Sequence, residues 1–211
     1  MIPERPITFD AGAGLRLQGA LALSPGTTRG VVVCHPHPQY GGDMDSPVVV
    51  AATRACAEAG LGTLRFNFRG VGASGGGWDE GRGEQDDVRA ATAHLRGILG
   101  SPARVALAGY SFGAAKAAAV AASGQPLAGL ALIAPPLTMR GLPEPPLAVE
   151  GPLLIVAGSR DTYCPPSAVA GLARAWPEAT LATIDGADHF FAGGLQALHG
   201  ALTEWAMTLP R

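Results

Sequence analysis

Residues 105–122 read VALAGYSFGAAKAAAVAA, and the fold of the chain follows from this stretch. The apolar residues 105–108 predict a buried strand, and the alanine-rich run after residue 113 predicts a helix. Gly109 and Gly113 stand two positions before and two after Ser111, so strand and helix can pass close together at a sharp turn. A serine at such an apex has a strained backbone, which costs on the order of 1–3 kcal/mol. The pattern therefore predicts a nucleophile elbow that presents Ser111 beside the positive end of a helix.

A second match to the same Gly-x-Ser-x-Gly spacing lies at residues 72–76. It is followed by Gly77 and Trp78 and not by a helix-forming run, so we interpret it as a loop and Ser74 as a turn residue. The alternative for Ser111 is an ordinary turn serine that caps a helix. Partners for Ser111 elsewhere in the chain decide between these two interpretations.

Composition predicts one α/β domain over residues 1–211, since 47% of the residues are hydrophobic and only 15% are charged. The net charge of −2 gives no electrostatic reason to expect nucleic acid or an anionic membrane as a partner. Residues 1–5 lack a signal pattern, and no apolar run approaches the thickness of a bilayer. Three cysteines, Cys34, Cys56 and Cys164, fit reduced thiols and predict a cytoplasmic protein.

After an opening hairpin, predicted strands and helices alternate along the chain. This alternation predicts an α/β fold whose mostly parallel sheet carries helices on both faces. Strands are predicted at residues 7–9, 15–23, 30–34, 61–68, 104–108, 127–133, 153–157 and 180–184, and helices at 47–59, 84–99, 166–176 and 195–207 besides the helix after Ser111.

Ligands of such sheets bind beyond the carboxyl ends of the strands, where Ser111, Asp161 and His189 all fall. A serine hydroxyl becomes a good nucleophile when a histidine takes its proton, and that histidine needs an acidic partner to fix its tautomer. The order serine, aspartate, histidine is the one expected of hydrolases with this elbow. We therefore predict Ser111, Asp161 and His189 as a catalytic triad.

Simpler interpretations stay open for the two partners of Ser111. Asp161 could be a turn or capping aspartate, and His189 could be a buried histidine or the start of a helix. Asp188 could replace Asp161, while Asp185 is a weaker candidate. His94 and His199 fall within predicted helices, so we interpret them as packing or surface residues; they are outside the predicted triad.

The loop at residues 35–42 predicts part of an oxyanion hole. Acyl transfer needs two backbone N–H groups aimed at the developing negative oxygen. Phe112, directly after the nucleophile, is predicted to supply one donor, and His37 is favoured for the second because Pro36 and Pro38 have no N–H. A metal site made by His35, His37, Asp43 and Asp45 is the less favoured reading, because no spacing completes a known zinc site. We predict neither a metal nor a cofactor.

The chain resembles the α/β-hydrolase superfamily nearly end to end. The resemblance is carried by residues 34–38, 67–74 and 109–113 and by the turns at Asp161 and His189. More narrowly, the chain is similar to small lid-less bacterial serine hydrolases whose oxyanion loop opens with His-Pro, and to dienelactone-hydrolase-like proteins in outline. The latter carry a cysteine at the elbow, where this chain has serine, so lactone chemistry is not implied.

The resemblance implies an eight-stranded sheet whose second strand is antiparallel, with Ser111 as nucleophile, His189 as acid and base, and Asp161 as its orienter. Residues 135–151 are too short for the helical lid of many relatives, so we expect no cap domain and an open site. An open site offers little apolar surface to a long chain and favours small or short-acyl esters.

We therefore predict a serine carboxylesterase that acts on a small-molecule ester through an acyl-enzyme. The alternatives are a thioesterase or peptidase with the same triad, or a binding protein that keeps the fold without catalysis. The sequence leaves open whether the protein is a monomer or a homodimer. Arg69, in the glycine-rich loop, is predicted to hold loops together and not to bind substrate.

Overall fold

An eight-stranded sheet forms the centre of the protein, which we describe from a computed structural model over residues 3–139, 142–145 and 147–211. In chain order the strands are β1 Arg5–Asp10, β2 Arg16–Ala22, β3 Arg29–Cys34, β4 Gly62–Phe66, β5 Arg104–Tyr110, β6 Leu130–Ile133, β7 Leu153–Gly158 and β8 Thr180–Ile184. In the sheet they lie in the order β1-β2-β4-β3-β5-β6-β7-β8.

Strand β2 is antiparallel to both of its neighbours, and the pairs from β4 through β8 are all parallel. The central strand β3 is a run of β-branched residues that is buried on both faces, as a strand between two parallel partners requires. The predicted α/β-hydrolase fold, with its antiparallel second strand, is confirmed.

The described residues form five α-helices, which are α1 Pro47–Glu58, α2 Gly83–Leu99, α3 Phe112–Ala122, α4 Pro166–Ala175 and α5 Leu195–Met207. Helices α1 and α5 pack against each other, and so do α2 and α3, and all four contact the sheet, which places helices on both faces. Helix α3 begins at Phe112 and packs on β3, β5 and β6, so the elbow sits above the middle of the sheet.

Several predicted strand boundaries differ from the structure by one to three residues. The strand predicted from residue 127 begins only at Leu130, because Leu127 forms an isolated bridge with Val149 instead of joining the ladder. The strand predicted to residue 68 ends at Phe66, although the N–H of Asn67 still donates to the carbonyl of Gln18 in β2.

The connection from β6 to β7 holds no helix in its described residues, and positions 140, 141 and 146 of it lie outside the description. The segment is fastened to the body of the fold at both ends. The Thr138 N–H donates to the Tyr163 carbonyl (3.1 Å), and the Ala148 N–H donates to the Ala121 carbonyl (3.0 Å). The expected absence of a cap domain thus agrees with the described part of this connection.

Candidate active site

The turn between β5 and α3 is as tight as its glycines suggested. Ser111 has φ 53° and ψ −113°, a conformation that L-residues rarely adopt. A Cβ on Gly109 would lie 2.3 Å from the Gly113 carbonyl oxygen, and one on Gly113 would lie 2.3 Å from the Cys34 carbonyl oxygen. No side chain fits at either position, so both glycines are required for Ser111 to stand at the apex.

The structure brings the three predicted residues Ser111, His189 and Asp161 together. Nε2 of His189 lies 3.0 Å from Oγ of Ser111, and Nδ1 of His189 lies 2.8 Å from Oδ2 of Asp161. All three side chains are largely buried. In this chain of contacts His189 donates Nδ1–H to the carboxylate and keeps Nε2 free to accept the serine proton.

Two further contacts hold the acid and the histidine in place. The second carboxylate oxygen of Asp161 accepts the N–H groups of Tyr163 and Cys164, both at 2.8 Å. The Tyr110 hydroxyl donates to the backbone carbonyl of His189 (3.0 Å), and burial raises the pKa of Tyr110, so this donor stays protonated. The carboxylate therefore has one oxygen committed to the backbone and one to His189.

The alternative acids make other contacts. Oδ1 of Asp188 accepts the N–H groups of Phe190 and Ala192, each at 3.0 Å, and shapes the turn that carries His189. Oδ1 of Asp185 accepts the hydroxyl of Ser159 at 3.1 Å. Neither of these contacts involves the imidazole.

Cys164 donates its N–H to Asp161, and its side chain is fully buried. Burial raises the pKa of its thiol to about 12. Cys34 and Cys56 are likewise buried free thiols.

Two residues that line the same cleft as Ser111 have backbone N–H groups without an acceptor among the described residues. One belongs to Phe112, the first residue of α3, where helical N–H groups have no partner within the helix. The other belongs to His37, which stands between two prolines after β3. These are the two groups predicted as oxyanion donors.

His35 fixes the loop that carries His37. Its ring is fully buried, and Nε2 accepts the Phe68 N–H at 3.0 Å. Nδ1 must therefore carry the proton, which it donates to the Pro36 carbonyl at 2.6 Å. Burial lowers the pKa of His35 from 6.5 to about 4. His35 is thus neutral, with both ring nitrogens engaged by backbone.

These contacts leave His35 unsuited to the metal interpretation. His37 also uses its Nδ1, which accepts the N–H of Gln39 at 3.2 Å. Within residues 3–139, 142–145 and 147–211, no group of three or more His, Cys, Asp or Glu side chains is arranged to hold a metal ion.

We expect His35 to make the stability of the fold depend on pH. Its pKa is lower in the folded than in the unfolded chain, so the unfolded chain binds more protons between pH 6.5 and 4 and stability falls as pH falls through that window. The stability lost should be about 3 kcal/mol. Urea unfolding of the wild type and His35→Gln at pH 7, 5.5 and 4.5 measures it. The advantage of the wild type should shrink toward pH 4.5; a constant difference would contradict the assignment.

A cleft of about 840 Å³ lies over Ser111. Its lining is rich in aromatic and other large apolar side chains, and four of them are exposed to solvent. Apart from Phe112, which was predicted for its backbone N–H alone, none of them was predicted from the sequence as a site residue. They are Tyr40, Met139, Tyr163 and Phe190 at the exposed positions, with Trp78 and Phe112 deeper in the cleft.

Two ionic side chains of this region, Glu84 and Lys116, are buried, which the sequence did not predict. Glu84 is the first residue of the helix predicted at 84–99, where an acid is favourable even in water, but it is fully buried and accepts the N–H groups of Asp79 (3.0 Å) and Gly81 (2.7 Å). Lys116 is 3% exposed, donates to the Gly81 carbonyl (3.2 Å) and has its Nζ 4.9 Å from the centre of the Phe112 ring. A lysine inside an otherwise apolar helix was the available signal.

The second Gly-x-Ser-x-Gly match is a structural turn. The Ser74 hydroxyl donates to the Asn67 carbonyl (2.7 Å) and accepts the Gln18 N–H (2.9 Å). Arg69 of the same loop forms an ion pair with the buried carboxylate of Asp87 (2.7 Å), which accepts its backbone N–H as well (2.9 Å). Both residues hold loops together.

A family model described as an alpha/beta hydrolase domain matches residues 30–197. Among curated proteins, the chain is 30% identical over 213 residues to an uncharacterized protein of Rickettsia prowazekii, covering 96% of this chain and 89% of that one. No helix in the described part of the chain combines the length and the apolar character needed to cross a bilayer.

Two solved structures are similar over nearly their full length. An alpha-beta serine hydrolase homologue from Coxiella burnetii is 34% identical, with a TM-score of 0.86 and coverage of 97% of this chain and 98% of that chain. A serine hydrolase without a lid from Xanthomonas campestris is also 34% identical, with a TM-score of 0.86 and coverage of 99% and 96%.

Proposed function

This chain belongs to the α/β-hydrolase family, and we propose that it is a serine carboxylesterase that cleaves small or short-acyl esters. One observation carries the proposal: the continuous hydrogen-bonded chain from Ser111 Oγ through His189 to Asp161, with distances of 3.0 and 2.8 Å. Ser111, at one end of this series of hydrogen bonds, lies in a cleft that is open to solvent. The series is the arrangement by which a serine becomes a nucleophile near neutral pH.

In the first half of the reaction, His189 Nε2 takes the proton of Ser111 as Oγ bonds to the ester carbonyl carbon. The carbonyl oxygen becomes negative and is stabilised by the N–H groups of Phe112 and His37. Asp161 stabilises the imidazolium that forms. His189 then gives its proton to the alcohol oxygen, the bond between carbon and that oxygen breaks, and the acyl group stays on Ser111.

In the second half, a water molecule replaces the alcohol. His189 takes a proton from the water as its oxygen bonds to the acyl carbon, and the same two N–H groups stabilise the second oxyanion. Collapse of this intermediate returns the proton to Ser111 and releases the acid. Every group in the cycle belongs to this chain or to solvent, so the proposal needs neither cofactor nor metal.

The same groups could attack a thioester or a peptide bond, and substrates alone distinguish these reactions. A binding protein without catalysis is the less favoured candidate, because the strained backbone of Ser111 costs stability and serves no evident packing role. The three buried free thiols support a reducing compartment, so the cytoplasm is the proposed location. A small-molecule ester is the proposed partner, with the oligomeric state left open between monomer and homodimer.

An acyl chain-length series tests the proposal. With ethyl esters from acetate to dodecanoate, kcat/KM should be highest for acyl chains of two to about six carbons and fall steeply beyond them, because an open cleft buries little of a long chain. Ethyl thioesters and anilides of the best acyl group should be compared in parallel. A steady rise toward dodecanoate would contradict the proposed substrate class, and no hydrolysis of any ester would contradict the function.

A further inference from the structure

We propose that the preferred ester carries an aromatic ring on its acyl part, stacked against the side chains of Tyr40, Trp78 and Phe112. This inference rests on the proposed ester hydrolysis and names the substrate class that the same site selects. It follows from the arrangement of the aromatic rings, from the position of His189 and from the way the Trp78 loop is held.

The aromatic side chains of the cleft form two groups. The first surrounds His37, whose ring centre lies 4.7 Å from that of Tyr40, 4.8 Å from that of Trp78 and 4.8 Å from that of Phe112. We call Tyr40, Trp78 and Phe112 the loop wall. The second group surrounds His189, with ring centres 4.8 Å away at Tyr163 and 5.6 Å away at Phe190. We call Tyr163 and Phe190 the histidine wall.

The direction of proton transfer assigns the two walls to the two halves of an ester. His189 Nε2 must reach the leaving oxygen, so the alcohol lies on the side of the histidine wall. The carbonyl oxygen lies toward the N–H groups of Phe112 and His37. The acyl substituent leaves the same carbon away from His189, which directs it along the loop wall.

Two members of the loop wall, Trp78 and Phe112, are held in place before any substrate arrives. Trp78 stands at the start of a turn that is fixed from two sides: Glu84 accepts the N–H groups of Asp79 and Gly81, and Lys116 donates to the Gly81 carbonyl. Both ionic side chains are buried. The Lys116 ammonium also lies against the Phe112 ring, so the turn and the elbow helix are tied together. A wall fixed in this way binds without first having to be ordered.

The rings of this wall favour an aromatic ligand over an aliphatic one of equal size. Trp78 and Phe112 are 5.4 Å apart at 49°, and Tyr40 is 78% exposed, with its ring presented to solvent. Burying either ligand removes similar apolar area from water, but only an arene adds the stacked or edge-on contacts that rings prefer at centre distances of about 4.5–7 Å. Such contacts raise the affinity for the arene by about threefold to tenfold.

The test compares methyl 3-phenylpropanoate with methyl 3-cyclohexylpropanoate, which differ in aromaticity and little in bulk. We expect kcat/KM of the wild type to be about threefold to tenfold higher for the phenyl ester. The ratio should fall to near one in Trp78→Leu and return at least in part in Trp78→Phe. The matched control Phe190→Leu removes a ring from the histidine wall and should leave the ratio as in the wild type.

Methyl butanoate separates failure of this inference from failure of the proposed function. If the wild type hydrolyses methyl butanoate but has a phenyl-to-cyclohexyl ratio near one, the aromatic preference is wrong and the esterase stands. If the folded wild type hydrolyses none of the three esters, the proposed function is wrong, and the inference with it. Should Trp78→Leu fail to fold, Tyr40→Leu takes its place, since it also removes a ring from the loop wall: the ratio should fall in this variant, and an unchanged ratio would overturn the proposal.

A second substrate pair tests the placement of the acyl group. Benzyl acetate and cyclohexylmethyl acetate carry the ring on the alcohol. We expect little discrimination between them in the wild type. The proposal would be overturned if the wild type strongly preferred benzyl acetate over cyclohexylmethyl acetate, lost that preference in Phe190→Leu, and did not prefer the phenylpropanoate over the cyclohexylpropanoate. These results together would assign the aromatic ring to the histidine wall.

Discussion

Ser111→Ala is expected to lose ester hydrolysis by a factor on the order of 10⁴ to 10⁶ and to lose all labelling by a fluorophosphonate probe. The probe bonds to a serine only when a base removes its proton, and His189 Nε2 lies 3.0 Å from Ser111 Oγ. Alanine keeps the Cβ and therefore the same strained backbone conformation of this position. The change removes the nucleophile and leaves the elbow as it was, so unfolding by urea should be nearly unaltered.

Ser74→Ala is the matched control, because Ser74 stands in the same Gly-x-Ser-x-Gly spacing. Its hydroxyl is engaged by the Asn67 carbonyl and the Gln18 N–H, so this variant should lose some stability and keep its labelling. Labelling that survives Ser111→Ala and disappears in Ser74→Ala would move the site to the glycine-rich loop. No labelling of the folded wild type would favour the non-catalytic binding protein.

The sequence predicted those parts of the fold and the site that local rules determine. Gly109 and Gly113 are required because a Cβ on Gly109 would meet the backbone of Gly113, and one on Gly113 would meet the backbone at the end of β3. The sequence shows this requirement directly, as two glycines spaced evenly around Ser111. Asp161 and His189 each follow a strand of the parallel sheet, so strand ends alone indicated that they would meet Ser111. The structure places all three within hydrogen-bonding distance of one another in series.

The loop wall could not be predicted in this way. Tyr40 and Trp78 lie on different loops, and both pack on His37 only because the sheet brings those loops to one edge. Neither loop has a periodicity that tells a wall residue from a turn residue. The burial of Glu84 could not be predicted for a related reason. An acid in the first turn of a helix ordinarily faces water, and Glu84 is buried because the turn at residues 79–81 folds over it.

The strand boundaries that sequence missed have the same origin. Leu127 is apolar and extends the hydrophobic pattern of β6, but it pairs with Val149, in the segment that follows β6, and not with a strand of the sheet. A hydrophobic pattern predicts burial, and Leu127 is buried. The pattern does not indicate which segment pairs with the backbone at that position.

Asp161→Asn is expected to lower kcat by a factor on the order of 10⁴ with little change in the fold. The reason lies in the two oxygens of Asp161. One accepts two backbone N–H groups, from Tyr163 and Cys164, and the other accepts Nδ1–H of His189. In an asparagine the amide oxygen must take the first position, because an NH₂ group there would face two donors. The NH₂ group is then forced toward His189.

An NH₂ group facing Nδ1 donates to it, and the neutral imidazole must then carry its proton on Nε2. That proton points at Ser111 Oγ, so His189 can no longer accept the serine proton and the nucleophile is not activated. Asp188→Asn is the matched control: its single accepting oxygen serves Phe190 and Ala192, an amide oxygen serves them equally well, and kcat should stay within a fewfold of the wild type. A large loss in Asp188→Asn together with an active Asp161→Asn would make Asp188 the orienter of His189, and the hydrogen-bonded chain that carries the proposed function would then be wrong.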